Sequence, residues 1–237
     1  WKVKSSKINL DPNSGKYNNS NDVTQITKEY GNTVTRVGAA TKTGYTFSGW
    51  DLKWNEIMPA HELTVDAIWT PKIDTEYRVV HYYLDIEGHR DQNNVYTGLF
   101  TGTTDATITA WFVSKPWFDN PSSSKSWKIK PDGSLVIEYE YPRHKYNLDY
   151  DEIGGVELTW KLVIYGDDIN PDSTTKVGYT FSGWLNLPSD GKMPARDLIL
   201  RAYWINNKYT VSFNANQWQG VTPSLTATYD KQFTLTS

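Results

Sequence analysis

Between Ser134 and Tyr141 the chain alternates. Leu135, Ile137, Tyr139 and Tyr141 are separated by Val136, Glu138 and Glu140, the period-two pattern of a strand with one buried face. Pro131-Asp132-Gly133 supplies a turn just ahead of it, so a hairpin is expected to join Trp127-Lys128-Ile129 to that strand. The same alternation runs through Leu63, Val65, Ala67 and Trp69, and again through Leu198, Leu200, Ala202 and Trp204. Each run predicts an amphipathic closing strand. Helical signal is confined to Thr104 through Phe112, which reads as a short helix capped by threonine, and to Thr33 through Ala40, which reads as a single turn. These patterns predict a β-rich α+β protein.

The strands belong to a repeat. Lys42-Thr43-Gly44-Tyr45-Thr46-Phe47-Ser48-Gly49-Trp50 returns with one change as Lys176-Val177-Gly178-Tyr179-Thr180-Phe181-Ser182-Gly183-Trp184. Met58-Pro59-Ala60 and the strand after it return from Met193-Pro194-Ala195 onward. Upstream, Lys7-Ile8-Asn9-Leu10-Asp11 matches Lys145-Tyr146-Asn147-Leu148-Asp149, and a third opening appears at Lys208-Tyr209-Thr210-Val211-Ser212-Phe213-Asn214. The expected modules are 1–72 and 144–206, a different unit over 73–143 between them, and an incomplete start of a further module over 207–237. The connections around Pro71, Pro142 and Asn206 are only a few residues long, which limits swing and predicts an extended row of small modules. The tail from Lys208 has a free strand edge, so it is expected to be disordered, swapped or docked on a neighbour.

Composition acts only by exclusion. With 38% hydrophobic residues the chain should fold, and a net charge of −3 without any Lys/Arg cluster gives no footprint for nucleic acid. No apolar run is long enough to cross a membrane, and Trp1-Lys2-Val3-Lys4 lacks the core of a secretory signal, so any export signal or anchor is expected outside this stretch. Cysteine is absent, which removes disulfides, zinc–thiolate sites and thiol nucleophiles. Modules of this size must then gain stability from large side chains, and 11 Trp and 16 Tyr supply them. Tyr45, Phe47, Trp50 and Trp69, like Tyr179, Phe181, Trp184 and Trp204, are therefore expected to pack the cores. Gly44, Gly49, Gly178 and Gly183 are expected at turns or bulges.

The strand opening at Tyr209, the central Gly-Tyr-Thr-Phe-Ser-Gly-Trp and the closing Met-Pro-Ala-x-x-Leu-x-Leu-x-Ala-x-Trp resemble the Listeria/Bacteroides repeat, also called the internalin B-repeat. The middle unit, with Val79-Val80-His81-Tyr82-Tyr83, Gly102-Thr103-Thr104 and Ile129-Lys130-Pro131-Asp132-Gly133-Ser134, is more loosely similar to mucin-binding-protein repeats of bacterial adhesins. The resemblance implies β-grasp, ubiquitin-like modules strung along a secreted or wall-attached bacterial protein. It implies a non-catalytic stalk or spacer, or an adhesin contacting a host glycan or protein. The first loop departs from the family's Asn-Gly-Gly: the chain has Asn13-Ser14-Gly15, Ile153-Gly154-Gly155 and, with an insertion, Asn216-Gln217-Trp218-Gln219-Gly220.

Residues arranged for chemistry are few. His61, His81, His89 and His144 show no ligand spacing, and His61 becomes Arg196 in the second copy. Asp149/Asp151/Glu152 and Asp167/Asp168 read as solvated loop charges rather than a hydrolytic pair. Asp11, Asn13 and Asp22 imitate a calcium loop but lack its turn glycine and bidentate glutamate. No metal, cofactor or enzymatic activity is expected. The candidate ligand-binding residues are Trp117 and Phe118, in a crowd of aromatics beside the Pro/Ser loop from Asn120.

Overall fold

The computed structural model describes residues 2–52, 57–217 and 224–234; Trp1 and the Trp218-Gln219-Gly220 part of the third opening lie outside them. All regular structure among the described residues is β, and no helix is present. The chain divides into two compact units, 1–82 with 92–113 and 120–140, and 83–91 with 114–119 and 141–237.

In the first repeat β1 (Ser5–Asp11), β2 (Thr24–Glu29), β3 (Tyr45–Trp50) and β4 (Leu63–Pro71) form a sheet of order β2-β1-β4-β3. The two central strands, β1 and β4, run parallel. Parallel neighbours need a long crossover. Here it includes the segment between β2 and β3, where Val34 and Ala40 enter the core beside Ile8, Leu10, Trp50, Met58 and Val65. The helical turn expected over 33–40 is absent. Thr33, Val34, Thr35 and Val37 are β-branched and Gly38 is a poor helix former, so burial of two side chains is met by an irregular path instead.

The second repeat copies the plan, as does the start of the tail. β10 (Lys145–Asp151), β11 (Lys161–Ile164), β12 (Tyr179–Leu185) and β13 (Leu198–Asn206) take the order β11-β10-β13-β12, with β10 and β13 parallel. Its core is built on Leu148, Tyr150, Ile169, Met193, Leu198 and Leu200. In the tail β14 (Lys208–Val211) pairs with β15 (Leu225–Thr228).

Strand register corrects the alignment read from the sequence. Ile8 pairs with Leu63 and Leu148 pairs with Leu198, so Ile8 is equivalent to Leu148, and Asn9 to Asp149. Matching the Asn-Leu-Asp triplets had displaced the first strand by two residues, which leaves the buried face unchanged because strand side chains repeat every two. The loop after it confirms the corrected register. Asn13 and Ser14, Ile153 and Gly154, and Asn216 and Gln217 are three consecutive pairs with positive φ, each entered through a backbone N–H donated to a side-chain oxygen two residues back.

Between the repeats, β5 (Thr75–Leu84), β6 (Arg90–Gly102) and β9 (Val136–Tyr141) form a sheet of order β6-β5-β9, in the pattern of β2-β1-β4. Leu135, Ile137, Tyr139 and Tyr141 are buried, in keeping with the alternation. The expected helix over 104–112 is absent: Thr107, Ile108 and Thr109 are β-branched and lie in β7 (Thr107–Ala110). This strand pairs with β8 (Lys125–Lys128), so Trp127 does not form the expected hairpin with β9.

Candidate functional site at the module joints

The repeated aromatics divide into two groups. Phe47 sits edge-on to Trp50 and Trp69 with ring centroids 5.6 and 5.5 Å apart, and Phe181 does the same with Trp184 and Trp204 at 5.1 and 5.4 Å. These are packing groups, and the indole N–H groups are spent on backbone carbonyls, Trp50 on Gly38 and Trp184 on Asp172. Gly49 and Gly183, with φ of 135° and 114°, sit where the β3–β4 and β12–β13 registers shift. Tyr45 and Tyr179 belong to a different place.

Each lies at the end of a tight turn. Tyr45 N–H donates to the Lys42 carbonyl and Tyr179 N–H to the Lys176 carbonyl, both at 3.1 Å, with Gly44 and Gly178 between at φ of 78° and 80°. A positive φ at the third position is the requirement of a type II turn, and glycine meets it without strain. The lysine closes over the aromatic ring, 4.5 Å from the Tyr45 centroid and 4.4 Å from that of Tyr179.

Trp117 and Phe118 occupy the same turn. Phe118 N–H donates to the Lys115 carbonyl at 3.3 Å, Trp117 has φ of 74°, and Lys115 stands 5.5 Å from the Phe118 ring. Pro116 takes the second position, which its fixed φ suits. Phe118 bridges to Arg143 as Tyr45 pairs with Pro71 and Tyr179 with Asn206. The equivalences are therefore Gly44, Trp117 and Gly178 at one position, and Tyr45, Phe118 and Tyr179 at the next.

Beyond each turn runs one hydrogen-bonded relay, made three times. The carbonyls of Gly44, Trp117 and Gly178 accept the N–H of Lys72, His144 and Asn207 at 2.9, 2.8 and 2.9 Å. The carbonyls of those three residues accept the N–H of Thr104, Tyr165 and Tyr229 at 2.8, 2.9 and 2.8 Å. The first relay lies within the first unit; the second and third lie within the second unit. Each runs from the turn of one module, through the connecting residue, to the end of the first hairpin of the next. Tyr30 has the same place in the first repeat, its N–H donating to the Lys4 carbonyl.

Side chains reinforce the relays differently. At the first, Thr104 Oγ1 donates to the Gly44 carbonyl at 2.8 Å and Tyr45 OH donates to Asp105. At the third, Tyr179 OH donates to Asp230 at 2.9 Å and Thr180 Oγ1 to Asn207 at 2.6 Å. Asp105 and Asp230 both hold positive φ, 62° and 56°. The bond to the carboxylate comes first, burial second and the carboxylate's charge after it in raising the hydroxyl pKa of Tyr45 and of Tyr179. At the second, Phe118 has no hydroxyl. There the Trp117 indole stacks on Tyr165 at 5.3 Å, Arg143 donates to the Tyr165 carbonyl at 3.3 Å, and His144 Nδ1 meets Asp119 at 2.5 Å. Trp117 remains 47% exposed, while Phe118 is half-buried against Tyr83 at 5.0 Å.

The remaining candidates are dispersed. His81 is buried between Tyr96 and Tyr139, and that burial lowers its pKa. Asp11 caps the Asn13 N–H and Asp22 accepts from Ser20. Among the described residues no three His, Cys, Asp or Glu side chains converge as metal ligands, and no helix is long and apolar enough to cross a membrane.

The family model of the Listeria-Bacteroides repeat domain matches residues 7–62 and 146–202, the two modules that carry the Gly-Tyr turns. A protein of Evansella cellulosilytica described as "Putative Gly-rich membrane protein" is 23% identical over 199 residues, covering 74% of this chain and 22% of its own length. A second protein of that organism, with a like name lacking the Gly-rich qualifier, is 24% identical over 113 residues, covering 43% of this chain and 17% of its own. The chain thus spans about a fifth of the length of these curated relatives. Two solved structures align at low similarity. The Bacillus anthracis TIE protein shows 11% identity and a TM-score of 0.28 over 95% of this chain and 48% of its own. Mub-RV shows 10% identity and a TM-score of 0.20 over 60% of this chain and all of its own.

Proposed function

We propose that this chain is a spacer within the repeat region of a bacterial surface protein, its work being to hold successive modules at set positions. The observation that carries the reading is the backbone relay made three times, at turns whose side chains differ. A flexible string needs no such recurrence, because a flexible linker gains nothing from hydrogen bonds that bind it to both neighbours. The spacer is non-catalytic and lies outside the cell, in line with a repeat family typical of surface proteins and with relatives named as membrane proteins. Its modules are β-grasp folds in which an irregular segment replaces the crossing helix; the β2-β1-β4-β3 order with a parallel central pair supports this.

Small-angle scattering of the whole chain tests the spacer. An elongated particle whose profile fits one arrangement is expected. A compact particle, or a profile that needs freely swinging modules, contradicts it. The adhesin reading rests on the half-exposed Trp117 ring and requires that a host glycan or protein compete with Tyr165 for that indole.

A further inference from the structure

The two repeats share a backbone plan, so their solvent faces can be compared position by position. At the centre of the first repeat's outward face the exposed residues are Gln25, Thr27 and Thr64. By strand register the equivalents of Thr27 and Thr64 in the second repeat are Leu162 and Ile199, and Trp160, the residue just before β11, takes the place of Gln25 in sequence; all three are exposed. Polar residues on one copy are thus replaced by large apolar residues on the other, at positions that contribute nothing to either core. Trp160 is 56% exposed, and no cation or ring lies against it among the described residues.

Two of these apolar residues, Trp160 and Ile199, border a trough of about 480 Å³ lined also by Leu198, Asn147, Asp149 and Asp197. The carboxylates are held in place. Asp197 accepts the Asn147 N–H at 2.8 Å and its side-chain amide at 3.3 Å, and Asp149 accepts the Tyr150 N–H at 2.9 Å. None of the lining side chains carries positive charge, so the trough is bordered by an indole and two fixed anionic groups.

Elsewhere the molecule fills this kind of arrangement with lysine. Lys176 stands over Tyr179 and Trp204 and donates to the Ile153 carbonyl at 2.8 Å. Lys42 repeats the arrangement with Tyr45, Trp69 and Asn13. Lys125 stands over Tyr139 and donates to the Glu138 carbonyl. An aromatic face beside oxygen acceptors is a cation site by electrostatics, the ring quadrupole and the acceptors acting together. We propose that the Trp160 trough is a docking site for a partner protein, which places a lysine or arginine side chain on the indole between Asp149 and Asp197. The proposal does not depend on the spacer reading.

The test titrates the full chain with the tetrapeptide Lys-Lys-Lys-Lys while following the tryptophan indole N–H resonances by NMR. The Trp160 resonance is identified by its loss in Trp160→Gln, which installs the residue the first repeat carries and so keeps the fold. The expected result is a saturable shift of Trp160, with the exposed Trp127 unmoved. Affinity should fall at least tenfold in Asp149→Asn and in Trp160→Gln, the latter followed by calorimetry, and should weaken as salt rises. Three results overturn the proposal: no shift of Trp160, equal shifts at Trp127, or binding unchanged in both variants. A shift of Trp160 by cellotetraose without any by the lysine peptide also overturns it and assigns the trough to a sugar.

Discussion

The turns at Gly44 and Trp117 make the same backbone bonds and solve the packing above them in opposite ways. A Cβ on Gly44 would stand 2.6 Å from the Pro131 carbonyl oxygen, so the next module rests directly on the turn backbone. Gly178 is alike, its missing Cβ replaced by the ring of Tyr229. At the middle turn a tryptophan takes the left-handed conformation, at a cost of about 1–2 kcal/mol for an L residue, and its side chain reaches across to Tyr165. Tyr165 and Tyr229 are equivalent residues. One meets an indole and the other meets bare backbone, so the glycine joint is a close contact that excludes a side chain, whereas the tryptophan joint is a bridge made by one.

The largest effect should come from filling the glycine joints. Gly44→Ala and Gly178→Ala each add left-handed strain and a clash that separates the relay partners, together about 3 kcal/mol against docking. Thermal melts should show the module beyond the altered turn unfolding earlier. Unchanged melts would mean that the close approach at Gly44 and Gly178 has no energetic weight.

The tryptophan joint should respond with an inverted order. Alanine ordinarily stabilises a chain relative to glycine, but at φ of 74° the Cβ is the source of strain. Trp117→Gly should therefore be more stable than Trp117→Ala by about 1 kcal/mol in denaturant unfolding. Both variants should lose the coupling to Tyr165. Alanine proving the better of the two would show that the turn relaxes out of its left-handed conformation.

The smallest effect separates the joints by pH. A tyrosine whose folded pKa is raised stabilises the fold fully below its unfolded value near 10, and that contribution is lost as pH rises through the higher folded value. The hydroxyl bonds of Tyr45 and Tyr179 should thus fail only in strong alkali, while the Phe118 joint has no hydroxyl to ionise. Absorbance titration should show late-ionising tyrosines, with Tyr83 among them through its burial; one should disappear in Tyr45→Phe and another in Tyr179→Phe. Because the pairs are exposed to solvent, each substitution should change denaturant unfolding little.

The sequence disclosed the sheet half of the architecture. Alternation located the closing strands, and the Phe and Trp of Gly-Tyr-Thr-Phe-Ser-Gly-Trp marked the cores, whereas its Gly-Tyr pair, expected in a turn and a core, lies at the joints. It misled where short matches compete: Asn-Leu-Asp occurs two residues out of register, and only pairing with Leu63 and Leu198 exposes the slip. The expected helix at Thr104 ignored three consecutive β-branched residues. The identity of the Trp117 turn was harder to read, since Pro-Trp replaces Thr-Gly and φ is not written in a residue name. A signal was nonetheless available, because Lys42, Lys115 and Lys176 each precede an aromatic residue by three positions.

Amide hydrogen exchange at Lys72, His144 and Asn207 tests the relays most directly, because these three N–H groups exist to be bound by the preceding turn. Protection at all three comparable to that of Leu10 and Leu148 in the central strands is the predicted result. Exchange at the rate of an open linker at any of them would contradict the relay.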